Sequence, residues 1–265
     1  MILLLLAVEI LVGVGVVMAL SLVGEYASLK LAGILAGVPT GSAIILFFIG
    51  IENGASFASK TAVFNLIGLL AMQSFLFAYY KASNRFKTHT IVLSALSALA
   101  VYLLVAYAID LIEMGIVMAA IVSLISIFAF YYLYRNIKDA RIKSRIRLTP
   151  DVMALRGIAA AAIIVGVIEI AAFVGPAWAG LLAAFPTTTF PLILIIHRTY
   201  GKKPVHTIIK NFQVGLGSVI AYALTVSLAY PVAGIWYGTA MALAAALAAC
   251  FVIYLLLRYG KRIKH

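Results

Sequence analysis

Apolar residues run along this chain in long, nearly unbroken stretches. Residues 2–23, "ILLLLAVEILVGVGVVMALSLV", hold one charge, Glu9. A helix needs about 20 such residues to cross the hydrocarbon core of a bilayer, whereas the strands of a membrane barrel alternate polar and apolar positions. Similar stretches recur to the C-terminus and predict nine spans, near 2–22, 30–50, 57–80, 90–109, 114–134, 153–174, 178–197, 207–228 and 231–257. The expected fold is an all-α integral membrane protein with about nine transmembrane helices.

The polar interruptions set an orientation. "KASNRFKTH" (81–89), "RNIKDARIKSRIR" (135–147), 197–210 and 258–265 are basic, while "DLIE" (110–113), "FVGPAW" (173–178) and "AYPVAG" (229–234) carry no Lys or Arg. With these spans, nineteen of the twenty Lys and Arg fall on one face and Lys60 alone on the other. The positive-inside rule makes that face cytoplasmic, with the N-terminus outside and the C-terminus inside the cell membrane. The net charge of +12 is thereby a topology signal, and no nucleic-acid partner is expected. The 65% hydrophobic and 11% charged content excludes an ordinary soluble domain. With a single cysteine, Cys250, no disulfide can form within the chain. Thr149-Pro150 reads as an N-cap followed by proline at the first helical position, so the sixth span begins cleanly there.

Two interruptions lie inside spans and resemble each other. "AGILAGVPTGS" (32–42) returns as "AGLLAAFPTTT" (179–189); Gly33 precedes Pro39, and Gly180 precedes Pro186, by six positions. Fifteen positions after each proline comes another glycine, Gly54 and Gly201. The copies fall in spans two and seven, and an odd number of crossings between copies inverts the second. The expected organisation is a four-helix repeat over 1–112, a reversing helix with a basic connector over 113–148, and a second, inverted four-helix repeat over 149–265.

The shared phrase, carried by "AGILAGVPT" with Glu52 and Gly54 and by "AGLLAAFPT" with Gly201, resembles the GlpM family of small four-helix bacterial inner-membrane proteins. The resemblance implies a four-helix unit in each half and an inner-membrane location. The fused, inverted double departs from the single-unit form.

A proline within a helix removes a backbone bond and frees groups that lipid cannot satisfy. Pro39 is followed by Thr40, Gly41 and Ser42, and Pro186 by Thr187, Thr188 and Thr189. Together they are the candidate site for a small polar or anionic solute, with Pro191 as a second break in span seven. The alternative is a pair of kinks whose hydroxyls bond back to their own helices. Small neighbours such as Ala32, Gly33, Ala179 and Gly180 would let the two helices approach closely. Asn65 and Asn211, with Gln213, lie 26, 25 and 27 positions beyond their prolines and are candidate lining or interhelical glue.

Glu9 and Glu169 are candidate coupling residues, because an intramembrane carboxylate points to function; the alternative is a carboxylate reaching the outer interface. Glu52-Asn53 opens the outer loop before span three, where it reads as a helix N-terminal signal, with a residue pair at the mouth of the site as the alternative. His89, His197, His206 and His265 sit at expected loop edges without metal-site spacing. No metal, cofactor or enzymatic activity is expected, since neither a phosphate-binding glycine loop nor a credible nucleophile and base is present. Membrane lipids and the solute are the expected partners, with a second copy of the chain a further candidate. A transporter or channel is the leading expectation; a flippase for phospho-headgroups and a non-transporting membrane subunit are the alternatives.

Overall fold

The structure is a computed structural model that describes residues 7–12, 14–15, 28–112, 114–140 and 150–262. Among these residues there are helices and turns and no strand. Helical residues 7–12 and 14–15 (α1) are followed by α2 (Leu29–Ala36), α3 (Thr40–Asn53), α4 (Ala55–Arg85), α5 (Thr90–Asp110) and α6 (Ile116–Tyr134). Then come α7 (Pro150–Ala183), α8 (Thr189–Tyr200) and α9 (Lys202–Arg262). Pro150 takes the first helical position of α7, while Thr149 lies outside the described residues.

Two of these helices are each a pair. At 1.5 Å per residue, the 61 residues of α9 would reach about 90 Å, roughly three times the hydrocarbon thickness. Gly234 divides it, with φ 75° and ψ 176°; Gly175, with φ 75° and ψ 171°, divides α7 in the same way. These dihedrals belong to a region open essentially to glycine alone. Gly54 and Gly201 adopt nearly the same conformation and are the single residues between α3 and α4 and between α8 and α9. One glycine is therefore enough to end one helix and begin the next.

Six helical segments among the described residues are long and apolar enough to cross a membrane: Leu29–Asn53, Ala55–Arg85, Thr90–Asp110, Ile116–Tyr134, Gly157–Ala183 and Lys202–Leu256. They fit a multi-pass membrane protein. Their outer faces agree, because Leu104, Val117, Ile125, Phe128, Leu247 and Phe251 are exposed in a way that water would penalise and lipid does not.

Helix α4 is the centre of the packing and touches α3, α5, α6, α7 and α9. Its buried face includes the small and polar residues Ala58, Thr61, Ala62, Asn65, Gly68 and Ala71 beside large ones such as Leu66, Phe75 and Tyr79; the small ones let neighbouring helices come close. One apolar core joins α4, α5, α6, α8 and the first limb of α9; a second joins α3, the start of α4, α7 and both limbs of α9 around Gly234.

Candidate functional site

The two proline breaks can be followed bond by bond. Having no N–H, Pro39 leaves Leu35 O without its helical donor, and Pro186 does the same to Leu182 O. Val38 N–H takes over at 3.2 Å and Phe185 N–H at 3.0 Å, each a tightened last turn. Thr40 N–H turns back to Val38 O at 2.7 Å, and Thr187 N–H to Phe185 O at 2.7 Å. Ala36 O and Ala183 O are thereby released from their own helices. Each accepts a hydroxyl from the opposite break: Thr189 Oγ1 donates to Ala36 O at 3.2 Å, and Ser42 Oγ to Ala183 O at 3.1 Å. Each of these bonds at the first break has its counterpart 147 positions later at the second.

Small residues permit this meeting. A Cβ on Gly33 would strike Ile208 O at 2.7 Å and Asn211 Cβ at 3.0 Å; one on Gly180 would strike Thr61 O and Phe64 Cβ, again 147 positions removed. Gly41 leaves no room for a side chain beside Thr187 Oγ1. The breaks enclose a cavity of about 20 Å³, whose walls include Thr40, Gly41, Ser42, Thr187, Thr188 and Thr189. That is room for about one water molecule. Asn65 is drawn to this place and donates Nδ2–H to Ser42 Oγ at 3.4 Å. Thr40 Oγ1 and Asn65 Oδ1 are buried and have no partner. Native interiors pair nearly all such atoms, so each exception calls for a bound water or ligand.

On its other side Thr40 borders a much larger space. A groove of about 650 Å³ runs from Pro39 and Thr40 along α3 to Ile51, walled by Val8 of α1 and by Trp236 and Leu247 of α9. Apart from Thr40, Tyr222, Thr239, Trp236 and Cys250, the residues of the lining have purely apolar side chains. The corresponding place beside the second break is filled. There Phe75, Tyr102, Phe185 and Phe190 pack edge to face with centroids 5.1–6.3 Å apart, and Tyr102 donates its hydroxyl to Leu181 O. The positions 147 residues from Phe185, Phe190 and Tyr102 hold Val38, Ala43 and Ala249. Three of the four rings thus have small counterparts, Phe75 alone matching another ring, Tyr222, and Val38 and Ala43 line the open groove.

Other sequence candidates go elsewhere. Asn211 donates Nδ2–H to Thr207 O at 2.8 Å and to Asp139 Oδ1 at 3.4 Å, and is not among the residues lining the cavity. Gln213 is buried with both amide atoms unpartnered. Pro191 makes no second break: it is the third residue of α8, where a missing N–H would have had no helical acceptor. Glu52 and Asn53 do not open a loop but are the last two residues of α3, because Gly54 alone makes the turn. The same compactness corrects the histidines. His197 lies within α8 and meets Tyr79 Oη through Nδ1 at 2.9 Å; His206 lies within α9 and meets Ser83 Oγ through Nε2 at 2.8 Å. Both are buried, since the loop expected over 197–210 shrinks to Gly201. His89 adopts a left-handed conformation ahead of α5, and His265 lies outside the described residues.

The coupling candidates Glu9 and Glu169 are brought together with a third carboxylate, Glu52. Glu9, Glu52 and Glu169 each offer one oxygen, and the three lie within 4.8 Å of one another. Glu9 is fully buried, while Glu52 and Glu169 are exposed. No family model, curated protein or solved structure matches the chain.

Proposed function

We propose that the chain is a membrane transporter made of two inverted halves, 1–112 and 149–265, joined through 113–148 and crossing the bilayer nine times with its N-terminus outside. Its central site lies where the two Pro-Thr breaks meet. The observation that carries this reading is the pair of buried, unpartnered atoms, Thr40 Oγ1 and Asn65 Oδ1, beside a cavity lined by both breaks. Support for the inverted halves comes from the matching bonds 147 positions apart, in which each half caps the carbonyl that the other has released. Inverted halves give two states of similar energy that face opposite sides. The open groove beside Thr40 and the aromatic packing beside Thr187 are what one such state would contain. The cavity now has room for about one water molecule, and a small polar or anionic group would enter the hydroxyl-lined crossing as the two breaks move apart.

A second reading, an amphiphile or phospholipid as substrate, is favoured by the apolar groove that ends at Thr40. The polar group would sit at the crossing and the hydrocarbon along α3. One experiment separates the readings. Purified protein in liposomes is assayed for uptake of radiolabelled inorganic phosphate and iodide, and for loss of leaflet asymmetry of a fluorescent phospholipid. Anion uptake supports the first reading, lipid movement the second, and neither leaves a non-transporting membrane subunit. Thr40→Val or Thr187→Val should weaken the active assay about fivefold, the equivalent of one hydrogen bond of ~1 kcal/mol. The double variant should depart from additivity because the two side chains share one ligand. Wild-type activity in the double variant would reduce the breaks to kinks.

A further inference from the structure

Three carboxylates from three helices converge at the end of the molecule where Gly54 turns α3 into α4. Glu9 comes from α1, Glu52 from the last turn of α3 and Glu169 from the first limb of α7, six residues before Gly175. Placing three like charges in one spot is unfavourable unless something offsets them. Among the described residues the one ion pair is Lys210 with Asp139, so no described Lys or Arg serves this purpose. Glu9 makes the case sharper. Its side chain is fully buried, neither of its oxygens meets a hydrogen-bond partner outside the three carboxyls, and one of them points into the cluster. A buried carboxylate whose polar neighbours are other carboxyls is costly for a fold to hold.

We propose that Glu9, Glu52 and Glu169 form a binding site for one divalent cation of the hard, oxygen-ligated class, Ca²⁺, Mg²⁺ or Mn²⁺. Two oxygens bound to one Ca²⁺ at about 2.3–2.6 Å can be no more than about 5 Å apart, and the three carboxylate oxygens all lie within 4.8 Å of one another. Carboxylates without His or Cys select this class over zinc or copper. The buried oxygen of Glu9 supplies an inner wall. Exposed Glu52 and Glu169 leave the ion a route in and room for its remaining waters. A divalent ion neutralises two of the three charges and ties α1 to α3 and α7.

The site is single. The positions 147 residues from Glu9, Glu52 and Glu169 are Arg156, Thr199 and Leu22, which cannot repeat the cluster in the other half. It also stands apart from the transport reading, because none of its members lines the cavity between the breaks.

The test uses purified, chelator-treated protein in detergent, titrated with Mn²⁺ and followed by electron paramagnetic resonance, with thermal unfolding read in parallel. One Mn²⁺ per chain should bind saturably below about 1 mM, the weak end of known oxygen-ligated calcium sites, and raise the unfolding midpoint, as any ligand of the folded state must. Glu9→Gln should abolish binding. Since a buried position can disturb folding, the exposed Glu52→Gln and Glu169→Gln variants carry the decision: each should weaken Mn²⁺ at least tenfold and flatten the midpoint shift, while their metal-free midpoints stay near wild type. Absence of saturable binding in the wild-type protein, or unchanged Mn²⁺ affinity in both exposed variants, overturns the proposal.

Discussion

Thr40 and Ser42 stand two residues apart at the start of α3 and carry the same functional group, yet their hydroxyls have different roles. Ser42 donates to Ala183 O across the break, whereas buried Thr40 Oγ1 meets no partner. Deleting a donor strands its buried acceptor, which costs roughly 1–3 kcal/mol. Ser42→Ala and its counterpart Thr189→Val should therefore lower the thermal unfolding midpoint of the detergent-solubilised protein. Thr40→Val, which removes no bond and preserves shape, should leave the midpoint unaltered. A wild-type melt for Ser42→Ala would mean that the released carbonyl has another donor, and the account of the break given above would fail.

Between helices, the asymmetry of the two sides rests on a few side-chain volumes. The groove along α3 exists because Val38 and Ala43 stand where the other half has Phe185 and Phe190. Cys250 lines that groove and is the chain's single cysteine, which makes it a built-in reporter. In membranes it should react with a lipid-soluble pyrene maleimide. Ala43→Phe inserts a ring of the kind that packs beside the second break, and should slow that labelling several-fold without unfolding the protein. Labelling at an unchanged rate would show that the groove does not govern access to Cys250. The helix ends are set as economically, since a single glycine with positive φ divides α7 and another divides α9.

For the molecule as a whole, the proposed orientation follows from where the cations lie, and the structure supplies better probes than the turn glycines themselves. Cysteine at Gly54 or Gly201 would have to adopt dihedrals that side chains avoid. Ser56 and Lys203 are exposed neighbours of those turns in regular helix. In a Cys250→Ser background, Ser56→Cys should react with a membrane-impermeant thiol reagent in intact cells, and Lys203→Cys only after permeabilisation. The opposite pattern inverts the proposed orientation, and outside labelling of both removes an odd number of crossings between them.

The all-helical character and the long apolar helices were legible in the residues because each depends on local chemistry: unbroken apolar runs of spanning length. The breaks at Pro39 and Pro186 were legible for the same reason, since a missing N–H acts on its own helix whatever lies nearby. The one-residue turns were not. Gly54, Gly175, Gly201 and Gly234 look like any other glycines until their dihedrals are known, and their compactness moved Glu52, His197 and His206 from expected loops into helices. Lateral neighbours were hidden more deeply. A soluble helix advertises its inner face by an apolar stripe, but helices apolar all round carry no such mark. Nothing in the order of residues therefore distinguishes the face of α1 that brings Glu9 to Glu52 and Glu169. Nor does it reveal that Asn65 reaches Ser42 while Asn211 turns to Thr207 and Asp139. Those pairings arise where small residues let particular helices touch, and that is a property of the packed molecule.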